Sequence, residues 1–279
     1  MILDGKVVKQ EVLEQLKKEL RNLDRMPGLA VIQIGSDEAS KVYVRQKEKM
    51  TNDLGYLFKH IKLDENVEQE EVLKTIERLN INDEIDGILV QMPIPKHLDA
   101  KVIQNKISYL KDVDGLTDIN AGYLIHNKDG LVPCTPEGIM DLLDYYKIKV
   151  KGKNVTIVGR SDLVGKPLAS LMTNNDATVT LCHSKTKNLN FYTKNADILV
   201  VAVGKAKLIK KDDIKENAVV IDVGINRQSD GKLCGDVDYD DVIDKASYIT
   251  PVPGGVGQMT VASLAKNTFK AYKKIKSIK

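Results

Sequence analysis

The residues best suited to chemistry lie in a helical stretch from about Asp37 to Leu54. Tyr43, Lys47, Met50 and Leu54 stand at offsets of 4, 7 and 11, which puts them on one helical face. Arg45, Glu48, Lys49 and Asp53 fall elsewhere on the helix. Lys47 therefore interrupts an otherwise apolar stripe, one turn from the hydroxyl of Tyr43. Periodicity leaves two readings open. The lysine snorkels along its own stem to water, or its ammonium is held in low dielectric, where a depressed pKa suits it to proton transfer.

Three further stretches carry groups of the same kind. Val90-Gln91-Met92-Pro93-Ile94-Pro95 puts an amide at the end of a hydrophobic strand, followed by prolines that stop further pairing. Gln91 either faces a ligand, as strand ends in parallel sheets do, or caps a turn. Lys111-Asp112-Val113-Asp114-Gly115 offers two carboxylates two residues apart. They read as turn formers or as half of a metal site, and no further ligand follows at suitable spacing. Gly159-Arg160-Ser161-Asp162-Leu163-Val164-Gly165-Lys166-Pro167 is a glycine-bearing loop between a strand and a helix that opens on Pro167. It is either a tight turn or a cradle of backbone N–H groups and helix dipole for an anion.

Cofactor choice is readable further on. Folds that prefer NAD place a carboxylate about 20 residues after such a loop, against the ribose hydroxyl. Here the next strand ends Leu181-Cys182-His183-Ser184-Lys185-Thr186-Lys187, with hydroxyls and cations and no acid. Together with Arg160 these groups suit a 2′-phosphate, which favours NADP.

The elements that must position these groups alternate as βα units. Strands are expected at Gly28–Ile34, Phe58–Leu63 and Ile85–Val90, with helices near Asp37–Leu54 and Val67–Leu79. The second half offers near-continuous apolar strands at Asn154–Val158, Thr178–Leu181, Asp197–Val203 and Val219–Val223, as expected where both sheet faces are covered. A helix over Thr135–Tyr146, with Pro136 in its first turn, links the halves. A chain of 279 residues fits two domains. Its 42% apolar and 29% charged residues are those of a globular protein, and a spread net charge of +3 gives no support to nucleic-acid binding. Lys266, Lys270, Lys273, Lys274, Lys276 and Lys279, interleaved with Ala265, Phe269, Tyr272 and Ile275, read as an amphipathic helix with a solvated face. Cys134, Cys182 and Cys234 have neither metal-ligand spacing nor an even count, so a reducing compartment is the default. No signal-peptide pattern opens the chain, and no run approaches the ~20 apolar residues of a membrane span. The expectation is a cytoplasmic two-domain α/β protein that binds a dinucleotide.

Eight segments in this order resemble the methylenetetrahydrofolate dehydrogenase/cyclohydrolase family. They are Tyr43-Val-Arg-Gln-Lys47, Val90-Gln-Met-Pro-Ile-Pro95, Lys111-Asp-Val-Asp-Gly115, Pro133-Cys-Thr-Pro136, Gly159-Arg-Ser161 with Val164-Gly165 and Pro167, Cys182-His-Ser184, Val220-Ile-Asp-Val-Gly-Ile-Asn226 and Thr250-Pro-Val-Pro-Gly-Gly-Val-Gly257. The resemblance implies an N-terminal α/β folate-binding domain over 1–134 and a Rossmann-like parallel-sheet NADP domain over 135–259, with a cleft between. It also implies a C-terminal helix, 260–279, that packs back on the folate domain, and a homodimer. By resemblance Lys47 is the catalytic lysine, Tyr43 packs on the folate and orients it, Gln91 is its hydrogen-bonding neighbour, and Asp114 anchors the pterin. Arg160, Ser161 and Ser184 match contacts to the NADP phosphate, and Gly159 and Ile225 line the cofactor.

The implied activity is NADP-dependent oxidation of 5,10-methylenetetrahydrofolate to the methenyl compound, then hydrolysis to 10-formyltetrahydrofolate, in one-carbon metabolism. Loss of hydride creates a methenyl cation, which a protonated lysine opposes, so a depressed pKa helps this step. The same group then shuttles protons as water adds and the ring opens. One lysine serves both steps without a metal. Two positions depart from the family pattern. Gln258 stands where proline is usual, which restores an N–H and frees the loop. Tyr109 stands where proline commonly precedes the Lys-Asp-Val-Asp-Gly stretch.

Overall fold

Short β-branched runs separated by helices leave a chain few solutions other than parallel strands with crossover helices. The computed structural model describes residues 1–278, apart from the side chains of Glu38 and Ala39. The first part runs through α1 (Gly5–Leu20), β1 (Gly28–Ile34), α2 (Glu38–Leu54), β2 (Leu57–Leu63), α3 (Gln69–Asn80), β3 (Gly87–Val90), α4 (Ala100–Lys106) and α5 (Asp118–Ile125). The second runs through α6 (Cys134–Tyr145), β4 (Asn154–Val158), α7 (Gly165–Asn174), β5 (Thr178–Cys182), α8 (Leu189–Thr193) and β6 (Ile198–Val201). Then follow β7 (Val219–Asp222), β8 (Asn226–Arg227), β9 (Leu233–Cys234), α9 (Tyr239–Val242), β10 (Tyr248–Ile249) and α10 (Val256–Ile278). The chain forms two compact units. One holds Val12–Cys134 and α10 from Val261 onward; the other holds Met1–Glu11 and Thr135–Thr260. The first eleven residues thus group with the second unit, whereas the sequence reading began its first domain at residue 1.

The unit containing Val12–Cys134 is built on a parallel sheet of order β2-β1-β3. Every residue of β1 is buried, and its side chains alternate between two cores. Leu29 and Val31 join Leu16, Leu20, Val44, Met50, Leu54, Phe269 and Tyr272 on one side. Ala30, Ile32 and Ile34 join Val72, Ile76, Leu79, Ile88 and Ile103 on the other. Residues beyond β3 extend this sheet, because Asp112 bridges Ile88 and the Ile88 N–H donates to the Lys111 carbonyl at 2.7 Å. Gly87 permits that approach, since a Cβ there would lie 2.6 Å from a Val113 methyl.

The other unit carries a five-stranded parallel sheet of order β10-β7-β6-β4-β5, with a small antiparallel pair, β8 and β9, beside it. The strand order turns back between β4 and β6. Near-continuous apolar strands fit burial on both faces, as all residues of β6 and β7 are buried. The expected strand over Asp197–Val203 stops at Val201, because the Val203 N–H leaves the ladder for a carboxylate of Asp236.

The expected solvated face of α10 is narrow over the first half of the helix. From Val261 to Tyr272 nearly every residue is buried, including Asn267 and Thr268, and the helix turns to solvent only from Lys273 onward. Its lysines are engaged: Lys270 donates to the Gly130 carbonyl at 2.7 Å and Lys274 to Asp129 at 2.6 Å. The Asn267 amide donates to the carbonyls of Val113 at 2.9 Å and Val132 at 2.8 Å. Asn267→Leu takes an amide donor from both carbonyls and leaves Val113 only the weaker thiol of Cys134. The expected cost is about 2–4 kcal/mol, read as a lower urea midpoint; an unchanged midpoint would show that these carbonyls find other partners.

Candidate active site and cofactor loops

Helix α2 is entered through Gly35, whose φ of +78° few other residues adopt. The Asp37 side chain caps it by accepting from the Ser40 N–H at 2.7 Å. Its buried face is Ser40, Val44, Met50, Thr51 and Leu54, with Lys47 half-buried in the same row. Lys47, Met50 and Leu54 thus keep the places read from the sequence, and only Tyr43 does not. Val44 fills the core, and Tyr43 stands beside it 44% exposed. A branched aliphatic residue takes the dry position and a phenol tolerates the wet edge.

Lys47 reaches across to the end of β3. Its Nζ donates to Gln91 Oε1 at 2.6 Å, while Gln91 Nε2 donates onward to the Met92 carbonyl at 2.7 Å. The Gln91 backbone N–H still pairs with Ile32, so this 7%-exposed amide is fixed at both ends. Burial pushes the Lys47 ammonium below the ordinary lysine range, against the opposing pull of Asp114 and Cys134. Burial likewise raises the Asp114 carboxyl, which Lys47 and a hydrogen bond from Cys134 oppose and Asp112 reinforces. Both groups keep some exposed surface, yet both are driven toward their neutral forms. Burial thus narrows the gap between the two groups' proton affinities, which favours proton transfer at this site.

The two carboxylates of Lys111-Asp-Val-Asp-Gly115 have different tasks. Asp112 is fully buried and accepts from Gln104 Nε2, Asn120 Nδ2 and the N–H groups of Leu116 and Thr117, at 2.8–3.2 Å. It is a turn former. Asp114 faces Lys47. Cys134 and Asn267, which sequence reasoning passed over, close the back of this loop. The Cys134 thiol donates to the Val113 carbonyl at 3.2 Å, and Asn267 donates to the same oxygen. A polar residue in the apolar part of the last helix was the available signal for Asn267. Tyr109 gives its carbonyl to Asn120 Nδ2 at 2.9 Å and its ring edge to Tyr123. Among the described residues, no group of three or more His, Cys, Asp and Glu side chains is arranged to hold a metal ion.

The other sequence-selected residues gather in the second unit. Gly159 ends β4 with φ +129°, and a Cβ there would lie 2.2 Å from the Ala202 carbonyl oxygen. It sits where the strand order reverses, the usual ligand crevice of an open parallel sheet. A Cβ on Gly165 would meet the Gly159 carbonyl oxygen at 2.0 Å, so the loop closes tightly on itself. The Gly159 N–H donates to Cys182 at 2.9 Å, so Arg160 and Ser184 leave adjoining strand ends. Arg160, Ser161 and Ser184 are exposed, and no acid follows β5. Ser161 Oγ accepts from the Val164 N–H at 3.2 Å. Ile225 is 50% exposed after β7. The N–H that Gln258 restores is not free, because it donates to the Gly255 carbonyl at 3.1 Å, and Lys9 donates to its side chain at 3.4 Å. Position 258 lies in the first turn of α10, so these contacts tie a helical turn there.

Two buried acids of this unit were also missed. Asp222 and Asp236 are 3% and 0% exposed. Burial pushes the Asp222 carboxyl up to about 6, although the N–H groups of Val237, Asp236 and Gly224 all donate to it. Nothing periodic marks Asp236 within Gly235-Asp-Val-Asp238, so pattern reading passes over it.

A parallel sheet with a glycine crevice at its reversal point, in a chain whose other α/β unit carries a half-buried lysine, is the form of a dinucleotide-dependent enzyme. Residues 3–114 match the tetrahydrofolate dehydrogenase/cyclohydrolase catalytic domain, and residues 133–276 match the NAD(P)-binding domain of the same family. The chain belongs to that family. It is 52% identical over 273 residues to the bifunctional protein FolD of Campylobacter concisus, covering 97% of this chain and 96% of the relative. The crystal structure of the bifunctional FolD methylenetetrahydrofolate dehydrogenase/cyclohydrolase of Campylobacter jejuni superposes with a TM-score of 0.97 at 45% identity, covering 99% of each chain. The Trypanosoma brucei methylenetetrahydrofolate dehydrogenase-cyclohydrolase, solved with NADP and an inhibitor, gives a TM-score of 0.93 at 37% identity, covering 99% of this chain and 98% of that one.

Proposed function

We propose that Lys47, supported by Gln91 and Asp114, carries both steps of a bifunctional enzyme. The chain oxidises 5,10-methylenetetrahydrofolate to 5,10-methenyltetrahydrofolate with NADP and hydrolyses that product to 10-formyltetrahydrofolate, in one-carbon metabolism. The observation that carries the assignment is the 2.6 Å contact from Lys47 Nζ to an amide rather than a carboxylate. An amide orients the amine without stabilising its charge, and burial lowers its pKa.

The unit of Val12–Cys134 and α10 binds the folate, and the unit of Thr135–Thr260 binds NADP. NADP, when bound, accepts the hydride that leaves the folate's bridging methylene, and a methenyl cation remains on the folate. Lys47, neutral at this point, adds no opposing charge. As water adds to the cation, Nζ takes one of its protons and gives it to the ring nitrogen as that C–N bond breaks, while the adduct's hydroxyl proton leaves to solvent as the formyl C=O forms. Asp114 accepts hydrogen bonds from the pterin, and the exposed ring of Tyr43 offers a face to the folate. Arg160, Ser161 and Ser184 hold the 2′-phosphate, with Gly159 and Ile225 along the cofactor. Backbone free of side chains at the sheet reversal, a cation, hydroxyls and no acid after β5 support that fit. The protein works in the cytoplasm as a homodimer formed through its nucleotide units. Sedimentation should therefore give about twice the chain mass of 31.0 kDa, and a monomer at micromolar concentration would refute it.

Lys47→Met should keep the fold and folate binding while slowing methenyl hydrolysis by about 10²–10⁴-fold. The wild-type rate should rise with pH as Lys47 loses its proton. Because the folded pKa is lowered, this limb should fall below the free lysine value of about 10.4. Wild-type hydrolysis by folded Lys47→Met ends the assignment. For cofactor choice, NADP should exceed NAD in kcat/KM by roughly ten- to a hundredfold. Arg160→Ala should erase most of the difference by weakening NADP alone, and Ser184→Asp should favour NAD. An unchanged NADP constant in Arg160→Ala would place the phosphate elsewhere.

A further inference from the structure

Asp236 is a fully buried acid that neither chemical step uses. Its Oδ2 accepts the N–H groups of Val203 at 2.7 Å and Gly204 at 3.0 Å. Its Oδ1 accepts the Lys205 N–H at 2.7 Å and Asn226 Nδ2 at 2.9 Å. Three of these donors lie in the loop that follows β6, and the fourth, Asn226, opens β8 just after the turn that follows β7. The loop begins at Ala202, whose carbonyl oxygen Gly159 abuts closely enough to exclude a Cβ. The turn carries Ile225, with Asn226 held by Asp236 on one side and the Gly224 N–H held by Asp222 Oδ1 at 2.9 Å on the other. Asp222 in turn accepts the backbone N–H groups of Asp236 at 3.0 Å and Val237 at 2.8 Å. One carboxylate at the end of β7 therefore seats a second, and the second seats both loops.

The packing admits little adjustment. A Cβ on Gly224 would lie 2.3 Å from the Asp236 carboxylate, and one on Gly235 would lie 1.8 Å from Asp222 Oδ2. Loops with this many charge-assisted bonds are preorganised. Ile225 keeps half of its surface exposed on a loop pinned at both flanks.

We propose that Asp236 is a positioning residue for the cofactor, acting through the Val203–Lys205 and Gly224–Asn226 loops to set Gly159 and Ile225 against the dinucleotide. This rests on the assignment of Gly159 and Ile225 to the NADP site. Asp236→Asn keeps the volume but turns an N–H₂ group toward donors, which displaces at least one loop.

The test compares two readouts on the full-length chain: NADPH binding by fluorescence titration, and methenyl-tetrahydrofolate hydrolysis without any cofactor. Asp236→Asn should raise the NADPH Kd by about tenfold, while hydrolysis changes by less than about twofold. An unchanged Kd in the folded variant overturns the proposal. So does a parallel loss of both readouts with the melting temperature, which would make Asp236 merely structural. Asn226→Ala removes one of the four bonds and should raise the Kd by a smaller factor. It decides the matter if Asp236→Asn does not fold, and an unchanged Kd there overturns the proposal. Arg160→Ala, run alongside, separates the two levels of inference. If Arg160→Ala leaves NADPH binding intact, the site assignment itself fails. If it weakens binding while Asp236→Asn does not, only the positioning role fails.

Discussion

A carboxylate withdrawn from water costs several kcal/mol unless donors surround it. Much of this structure is organised around that demand. Asp112 in one unit and Asp236 in the other have no exposed surface, and each gathers four donors, combining N–H groups of a neighbouring loop with side-chain amides of adjoining elements. Short loops at sheet edges have few apolar side chains to anchor them. A buried anion replaces the missing core, because each N–H it collects fixes a stretch of backbone. In the first unit this leaves Asp114 aimed at Lys47, two residues from the anchor. In the second it leaves Ile225 on a rigid loop.

The reacting end of the molecule uses the same desolvation in the opposite sense. Where burial outweighs the opposing contacts, as at Lys47, Asp114 and Asp222, it drives the groups toward neutrality. Gln91 matters here for the charge it lacks. A glutamate in its place would satisfy the lysine and keep it protonated, giving a sound ion pair with no capacity to move a proton. The two units also share a geometry. In the three-stranded sheet Lys47 and Gln91 meet beside β1 and β3, where the order turns back, as Gly159 meets Ala202 beside β4 and β6.

Much of this was legible in the sequence because it depends on local periodicity. β1 and β4 occupy the residues that the apolar runs predict, and Lys47 stands in the buried row of its helix. Gln91 was legible as a strand end, and Gly159 as a turn. What periodicity could not resolve was which of the two acids of Lys111–Gly115 is the anchor and which interacts with Lys47. Asp112 and Asp114 differ only in donors, and two of these, Gln104 and Asn120, lie eight residues away on either side. Tyr43 was placed in the buried row because hydropathy scores a ring as apolar, whereas Val44 occupies the dry position. Asn267 and Asp236 escaped notice because their partners lie far off in the chain, up to 154 residues away for Asn267 and Val113.

The unit bearing Lys47 is discontinuous along the chain, and this has a bearing on how the protein comes into being. Its core includes Leu264, Phe269 and Tyr272, and the amide that secures the Val113 carbonyl is on the same helix. A ribosome reaches these residues only after the whole of Thr135–Thr260 has been translated. The nascent catalytic half must therefore wait with an apolar face bare while the nucleotide half is made. Active-site assembly follows the order of translation in reverse: the cofactor unit has its full sequence first, and the lysine's surroundings are completed last.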